Sequence, residues 1–455
     1  MKLSEENKNI SIAPDLMAKA QYKIRDRIFV FIILAGMLSE ARLGGLIDYE
    51  FFRLIRGLYI DYAIALCLLM YLFFFKFGIL FKYVKSNIVK LIIILNLFLF
   101  LELFYSYLEY DINPFIVFIK KLPLFLSALI FLYLYVFEKN LFPLLLKYVY
   151  YCSLFLSIVY VLQVLAGLLG SYNIEMEGYG RLVVDIRGIT IVRVWANTMG
   201  SEIFFIYNLL KILREKVRPI LFIHTIIFIM PTILAFGRQA WLIMLLSSVL
   251  ALFYALKGTT KSVLFLKVSV FIGSIILFLF LYSDYTKTDY FQAINYRLTM
   301  SSEDYEYNEG TFGIRAEVQT PVLLNYWAKN PVMGFGFYPY WLEGKDWVLY
   351  SGMTDVSAPA LLAAFGVVGF SLFLLISYSF FYISLLIYKK NYFKDFYIIA
   401  VSIVYMSSVV VKNFTLIKLS NFDLNGFNFT VTFYITYLLY NYFKYKKEFQ
   451  ETNIQ

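Results

Sequence analysis

Charge is scarce in this sequence. Asp, Glu, Lys and Arg make up 16% of its 455 residues, against 61% hydrophobic and 20% aromatic. That balance excludes a soluble domain of this length. There is one histidine, His224, and no grouping of His, Cys, Asp and Glu at metal-ligand spacing to recruit it, so helix packing is its expected role and neither metal nor other cofactor is expected. The two cysteines, Cys67 and Cys152, both fall in apolar runs, so no disulfide framework is implied and the redox compartment is left open.

What the chain has in abundance is apolar runs of about twenty residues, the length that crosses a bilayer as a helix. Twelve are read, at roughly 28–46, 57–75, 88–107, 115–137, 142–169, 196–213, 219–236, 239–256, 262–283, 358–388, 395–412 and 427–442. The expectation is an all-α polytopic membrane protein, a single integral membrane domain over residues 1–455. The cleanest stretch of its first run, Ile28 to Leu38, has the size of a signal-peptide core, but eleven further spans favour a retained helix. Gly366 and Gly369 predict that the tenth helix begins above the lipid and bends before it enters.

Orientation follows from the cations. With the N-terminus inside, the even-numbered connections and both tails hold 25 of the 41 Lys and Arg, which predicts N-in and C-in. The net charge of +10 is then attraction to anionic lipid and needs no nucleic acid. Residue type divides more sharply than number: 4 Arg and 21 Lys lie inside, 9 Arg and 7 Lys outside. Arg is a planar, permanently charged fork that grips phosphate through two bonds, whereas Lys is a hydrated point charge. The outer face is thus expected to meet phosphate, with interfacial anchoring and loop ion pairs as the plain alternative.

Three outer stretches are candidates for chemistry. In the loop at 171–195, Arg181, Arg187 and Arg193 recur every six residues among β-branched residues, and equal parity on one extended chain places them on one edge with Asp185. In LAFGRQAW, Gly237 is expected to allow a tight turn that sets Arg238 at a helix start, where free N–H groups already favour an anion. A cation there repels its own helix end unless an anion sits between them; snorkelling to the headgroups is the alternative. The large loop at 284–357, between spans nine and ten, carries acidic residues and then an amphipathic stretch with Ile314, Val318, Val322 and Leu323 along one side, Arg315 and Glu317 near its start and a break at Asn330-Pro331. It reads as a helix on the membrane surface, followed by a segment folded back through Gly334-Phe335-Gly336. The aromatic patch beyond, with Tyr338 and Trp341, suits either stacking on sugar rings or an interfacial belt.

FGRQAW before a span, a long outer loop with Arg315 and NYWAKNPVMGFGF, then Asp355-Val-Ser and LLAAFGVVGF resemble, in order and spacing, the O-antigen polymerase and ligase superfamily (Wzy-type) over residues 180–390. The resemblance implies a multi-pass protein of the bacterial cytoplasmic (inner) membrane that joins undecaprenyl-diphosphate-linked glycan repeat units on its outer face, without metal, alongside membrane lipid and a chain-length regulator protein. Arg238 and Arg315 would stabilise charge developing on the diphosphate, with Arg187, Arg193 and Arg181 next, Tyr338 and Trp341 against sugar, and Asp355 or Glu317 as proton acceptor. Ligases of the superfamily use an outer-loop His that this chain lacks, which favours polymerase. A non-enzymatic flippase or transporter would show internal repeats and mid-bilayer charge; no repeat is evident, and Glu102 and Glu202 are the intramembrane exceptions. A dolichol-type transferase with an acidic pair finds Asp48 and Glu50 in a loop too short for it.

Overall fold

A computed structural model describes residues 23–41, 60–110, 125–168, 182–186, 189–193, 198–215, 218–235, 237–256, 261–286, 289, 291–295, 314–336, 357–390, 395–414 and 429–452. The helices are α1 (Ile24–Glu40), α2 (Ile60–Val84), α3 (Asn87–Tyr110), α4 (Phe125–Glu138), α5 (Phe142–Leu168), α6 (Ser201–Arg214), α7 (Pro219–Leu234), α8 (Arg238–Leu256) and α9 (Lys261–Thr286). They continue as α10 (Thr320–Lys329), α11 (Ser357–Lys390), α12 (Phe396–Phe414) and α13 (Phe429–Thr452). A π-helical turn, Ile314–Gln319, leads into α10. The twelve apolar runs overlap α1 to α9 and α11 to α13, whose ends lie within a few residues of those expected except at the starts of α4 and α6 and the ends of α1, α2 and α13. Among the described residues, five helices are long and apolar enough to cross a membrane: Asn87–Glu109, Phe142–Leu165, Arg238–Leu256, Lys267–Asp284 and Ala358–Lys389.

The helices that line the outside are apolar there too. Phe74, Phe75, Leu97, Leu101, Phe104, Leu245, Phe253, Ile276 and Phe280 are all exposed, the pattern of helices whose outer solvent is lipid. Polar side chains inside turn back onto their own helix. Asn96 Nδ2 donates to the Ile92 carbonyl, Ser157 to Ser153, Thr225 to Leu221, Ser402 to Ile398 and Thr436 to Thr432, each four residues back, while Asn96 Oδ1 is left without a partner among the described residues. His224 packs as expected: its Nδ1 lies 2.9 Å from the Tyr150 hydroxyl, which also meets Asn208. Cys67 and Cys152 are free thiols.

Aromatic packing closes the bundle around α12 and α13. Tyr397 is almost wholly buried, and the rings of Phe142 and Tyr437 stack 4.2 Å apart. The Tyr133 hydroxyl donates to the Phe429 carbonyl at 2.7 Å, and Tyr434 donates to the Met199 carbonyl at 2.8 Å, tying α4 to α13 and α13 to the start of α6. There Gly200 adopts φ +81° directly beneath the Tyr434 ring, and Glu202 occupies the first helical turn, where a carboxylate suits the positive dipole end.

One end of the bundle is rich in lysine. Lys82 and Tyr83 both bond Glu138, joining α2 to α4. Lys267 of α9 reaches the C-terminus of α6 and donates to the carbonyls of Ile212, Leu213 and Glu215, the free acceptors a helix end leaves. Asp395, just before α12, accepts from the Tyr437 hydroxyl at 2.7 Å and from the Tyr397 N–H at 2.8 Å. Burial pushes its carboxyl up from the ordinary 3.8; the Tyr437 bond, the Tyr397 and Ile398 N–H groups and the charge of Lys211 bring it back only in part.

A carboxyl raised on folding contributes stability that is complete below its unfolded value and is lost as pH rises through the raised folded value. Asp395→Asn, neutral at every pH, should therefore flatten the fall in thermal midpoint of the detergent-solubilised protein between acid and neutral pH. Parallel wild-type and Asn curves would show that Asp395 contributes none of that slope.

Candidate functional site

The region opposite the lysine-rich end is organised by a break in α11. At Gly366 the backbone leaves the helix, with φ +57° and ψ −166°, the bend expected at this glycine. A continuous helix would join the Val367 N–H to the Ala363 carbonyl and the Val368 N–H to that of Ala364. Both bonds are open, and a strap from the chain after α10 fills all four vacancies. The Phe335 and Gly336 N–H groups donate to Ala363 and Ala364 at 2.9 and 2.7 Å; Val367 and Val368 donate to the carbonyls of Pro331 and Val332 at 2.9 and 3.3 Å. Each such group left unpaired in an apolar interior would cost several kcal/mol, on the order given for lipid-buried backbone.

Glycine is what lets the two backbones approach. A Cβ on Gly366 would stand 2.1 Å from the Val332 oxygen, and one on Gly334, at φ +78°, would stand 2.5 Å from Ala364 backbone atoms. Before the strap, α10 ends at Asn330, whose carbonyl accepts the Gly334 N–H at 2.8 Å, while Trp327 Nε1 donates to the Pro331 carbonyl at 3.0 Å. The break at Asn330-Pro331 stands where the sequence put it.

The amphipathic stripe does not run as expected. Leu323 is fully buried and Val322 packs beside it, but Ile314 and Val318 are about half exposed. The reason is the π-helical turn at 314–319, whose wider winding shifts the phase of the side chains that precede α10.

The strap's far end lies on α3. Phe98, Glu102 and Ser106 follow one another at four-residue spacing along that helix, the spacing that shares a face. Phe98 meets Phe365 beside Gly369, and Gly336 covers Glu102 and Ser106 so closely that a Cβ there would stand 3.2 Å from Glu102 Oε2 and 2.6 Å from Ser106 Oγ. Glu102 has no exposed surface, and among the described residues neither of its carboxyl oxygens has a hydrogen-bond partner. The Asn330 amide reaches the Tyr105 hydroxyl at 3.4 Å.

Arg238 stands at the same end of the bundle by a separate route. Tyr388 bonds the Leu250 carbonyl and its ring adjoins Tyr254, so the C-terminal halves of α8 and α11 meet and the start of each lies toward the other end. Arg238 is the first residue of α8 and half-buried. Trp241 Nε1 reaches back to the Thr232 and Ile233 carbonyls at 3.0 and 3.3 Å and closes the α7–α8 turn over an apolar cluster of Tyr160, Met230, Leu234 and Tyr282. Gly237 plays a different part from the one expected. It is not in the left-handed region, and a Cβ would meet only Ala240 at an ordinary 3.7 Å, so the turn is closed by the indole and not by freedom at the glycine.

The other sequence candidates are placed as follows. Arg315 is half-buried in the π-helical turn, its carbonyl accepting from Thr320 Oγ1 at 2.6 Å, and Glu317 is exposed. Leu182–Ile186 and Ile189–Arg193 form an antiparallel hairpin, β1 and β2, with Ile186 opposite Ile189 and Leu182 opposite Arg193. The single extended edge expected for Arg181, Arg187 and Arg193 is therefore two strands, because a glycine in the two residues between them suits a tight reversal. Arg181, Arg187, Tyr338, Trp341 and Asp355 lie outside the described residues. Among the described residues, no three His, Cys, Asp or Glu side chains form a group able to hold a metal ion. Sequence reasoning noted Glu102 only as an exception; an acidic residue in an otherwise uncharged stretch of a span was the signal that marked it.

Gly366→Ala should lower the thermal midpoint of the purified protein by the equivalent of about 1–3 kcal/mol, since a side chain must displace the strap's backbone. Gly273→Ala, where a Cβ meets nothing within 4 Å, should be neutral or stabilising by up to about 1 kcal/mol. Equal midpoints for the two variants would remove the strap from any part in stability. Comparison of the chain with family models and with curated proteins gives no match.

Proposed function

We propose that the protein is a glycosyltransferase that polymerises lipid-diphosphate-linked oligosaccharide repeat units, spanning a bacterial cytoplasmic membrane twelve times with both ends inside and working on the outer face. One observation carries this reading: Arg238 and the Arg315 loop stand at the end of the bundle away from the lysine-rich one, in a chain that puts 9 of its 13 Arg on the outer side of that topology. A guanidinium at the first residue of a helix, half-buried, suits an oxyanion that needs both the free N–H groups and the fork.

In the reaction, a hydroxyl of the incoming repeat unit attacks the anomeric carbon of the lipid-linked polymer. The bond to the diphosphate breaks and its electron pair leaves on phosphate oxygen. Arg238 and Arg315 stabilise that charge where it develops, which is where fixed donors contribute most. The resemblance of the Arg315 loop and the LLAAFGVVGF helix to Wzy-type polymerases supports the same assignment. Glu102, an ionisable group enclosed in a membrane helix, is the observation that favours a second reading, translocation of the same lipid-linked glycan.

Purified protein given a lipid-diphosphate-linked repeat unit should build a ladder of polymer; movement of labelled lipid between vesicle leaflets with no ladder would establish translocation instead. Arg238→Lys and Arg315→Lys, which keep charge and lose the fork, should each slow chain growth by about 100-fold, the scale of losing one preorganised donor. Near-normal growth in both would sink the diphosphate clamp.

A further inference from the structure

The enclosed carboxyl on α3 asks for a ligand. A carboxylate accepts up to about four hydrogen bonds and donates none, yet no N–H or O–H of a described residue reaches either oxygen of Glu102. The nearby Ser106 hydroxyl is directed elsewhere, to the Glu102 backbone carbonyl at 2.7 Å. Against the group lies the thin edge of the strap, Gly336, placed where a side chain would not fit. The strap in turn is held to α11 by backbone hydrogen bonds at a helix break, and it continues directly from the helix that begins with the Arg315 turn.

We propose that Glu102 is the group that receives a saccharide hydroxyl, reached when the Gly334–Gly336 strap lifts from α3, and that it is the proton acceptor of the transfer. The proposal rests on the polymerase reading above and names a residue for a role that reading left to Glu317 or Asp355. The missing partner of a buried acceptor is a donor, and a polyhydroxylated ligand supplies one. In the step itself, the hydroxyl proton of the incoming unit passes to a Glu102 oxygen and the freed electron pair forms the new bond to the anomeric carbon. The old carbon–oxygen bond leaves its pair on the diphosphate, and the proton on Glu102 is afterwards released to water. Glu317 is exposed, so its carboxylate is already hydrated and meets an acceptor hydroxyl in competition with solvent.

Two measurements on the full-length protein in detergent test this, with lipid-diphosphate-linked repeat unit extracted from cells that encode the chain as the probe. Dicyclohexylcarbodiimide, an apolar reagent for carboxyl groups within membranes, is applied with and without the repeat unit, and modification of Glu102 is read by mass spectrometry. Chain growth is then compared for wild type, Glu102→Gln and Glu102→Asp across pH. The repeat unit should protect Glu102 several-fold. Glu102→Gln, which keeps shape and fold by gel filtration, should slow growth by about 100-fold or more and lose the acid limb of the pH profile, while Glu102→Asp keeps that limb. Growth in Glu102→Gln within about two-fold of wild type, or modification unaffected by the repeat unit, overturns the proposal. The two readings separate cleanly. Protection without polymer from wild type removes the polymerase and leaves a saccharide site at Glu102; polymer from wild type and Glu102→Gln alike, with no protection, removes Glu102 and leaves the polymerase.

Discussion

Two hydrogen bonds that α11 does not make with itself govern the end of the molecule where the candidate residues lie. Opening the bonds at Gly366 exposes two carbonyls and two N–H groups inside an apolar bundle, a state that cannot stand in lipid. The strap from Pro331 to Gly336 satisfies all four, so the loop and the helix fold as one unit. The pairing also fixes where α10 sits and lays Gly336 on Glu102.

The two ends of the bundle handle polarity by different means. At the lysine-rich end, charges cap helices and one another: Lys267 on the carbonyls of α6, Lys82 with Glu138, and Asp395 with Tyr437. These are closed arrangements in which each group has a partner, and they hold the bundle together. At the opposite end, backbone satisfies backbone and Glu102 keeps no partner among the described residues. A structure that encloses an unpaired carboxyl in a membrane helix sacrifices stability there, and such a group calls for a functional account. Arg238 and Arg315, both half-buried at that same end, supply the positive charge that the proposed lipid-diphosphate substrate would meet.

Much of the architecture was legible because lipid imposes one rule on every span, that backbone groups be satisfied within an apolar helix of fixed length. Hydropathy alone thus located helices α1 to α9 and α11 to α13, and the glycine at 366 announced a bend. The site was legible only in part. Equal spacing of Arg181, Arg187 and Arg193 suggested one edge, but periodicity cannot register a reversal, and β1 and β2 fold back on each other. Gly237 looked like the maker of its turn, whereas an indole four residues later closes it through two carbonyls. The stripe from Ile314 to Leu323 was split by a π-helical turn that no side-chain pattern signals.

The sequence by itself determined the class of the molecule and the places of its helices, because each follows from local composition against a slab of hydrocarbon. Only the tertiary structure decided which polar groups meet. Glu102 and Gly336 are 234 residues apart, and nothing in either neighbourhood announces the other. They come together because unpaired backbone at a broken helix must be satisfied by some segment, and the segment with glycines at 334 and 336 is the one that can approach closely enough.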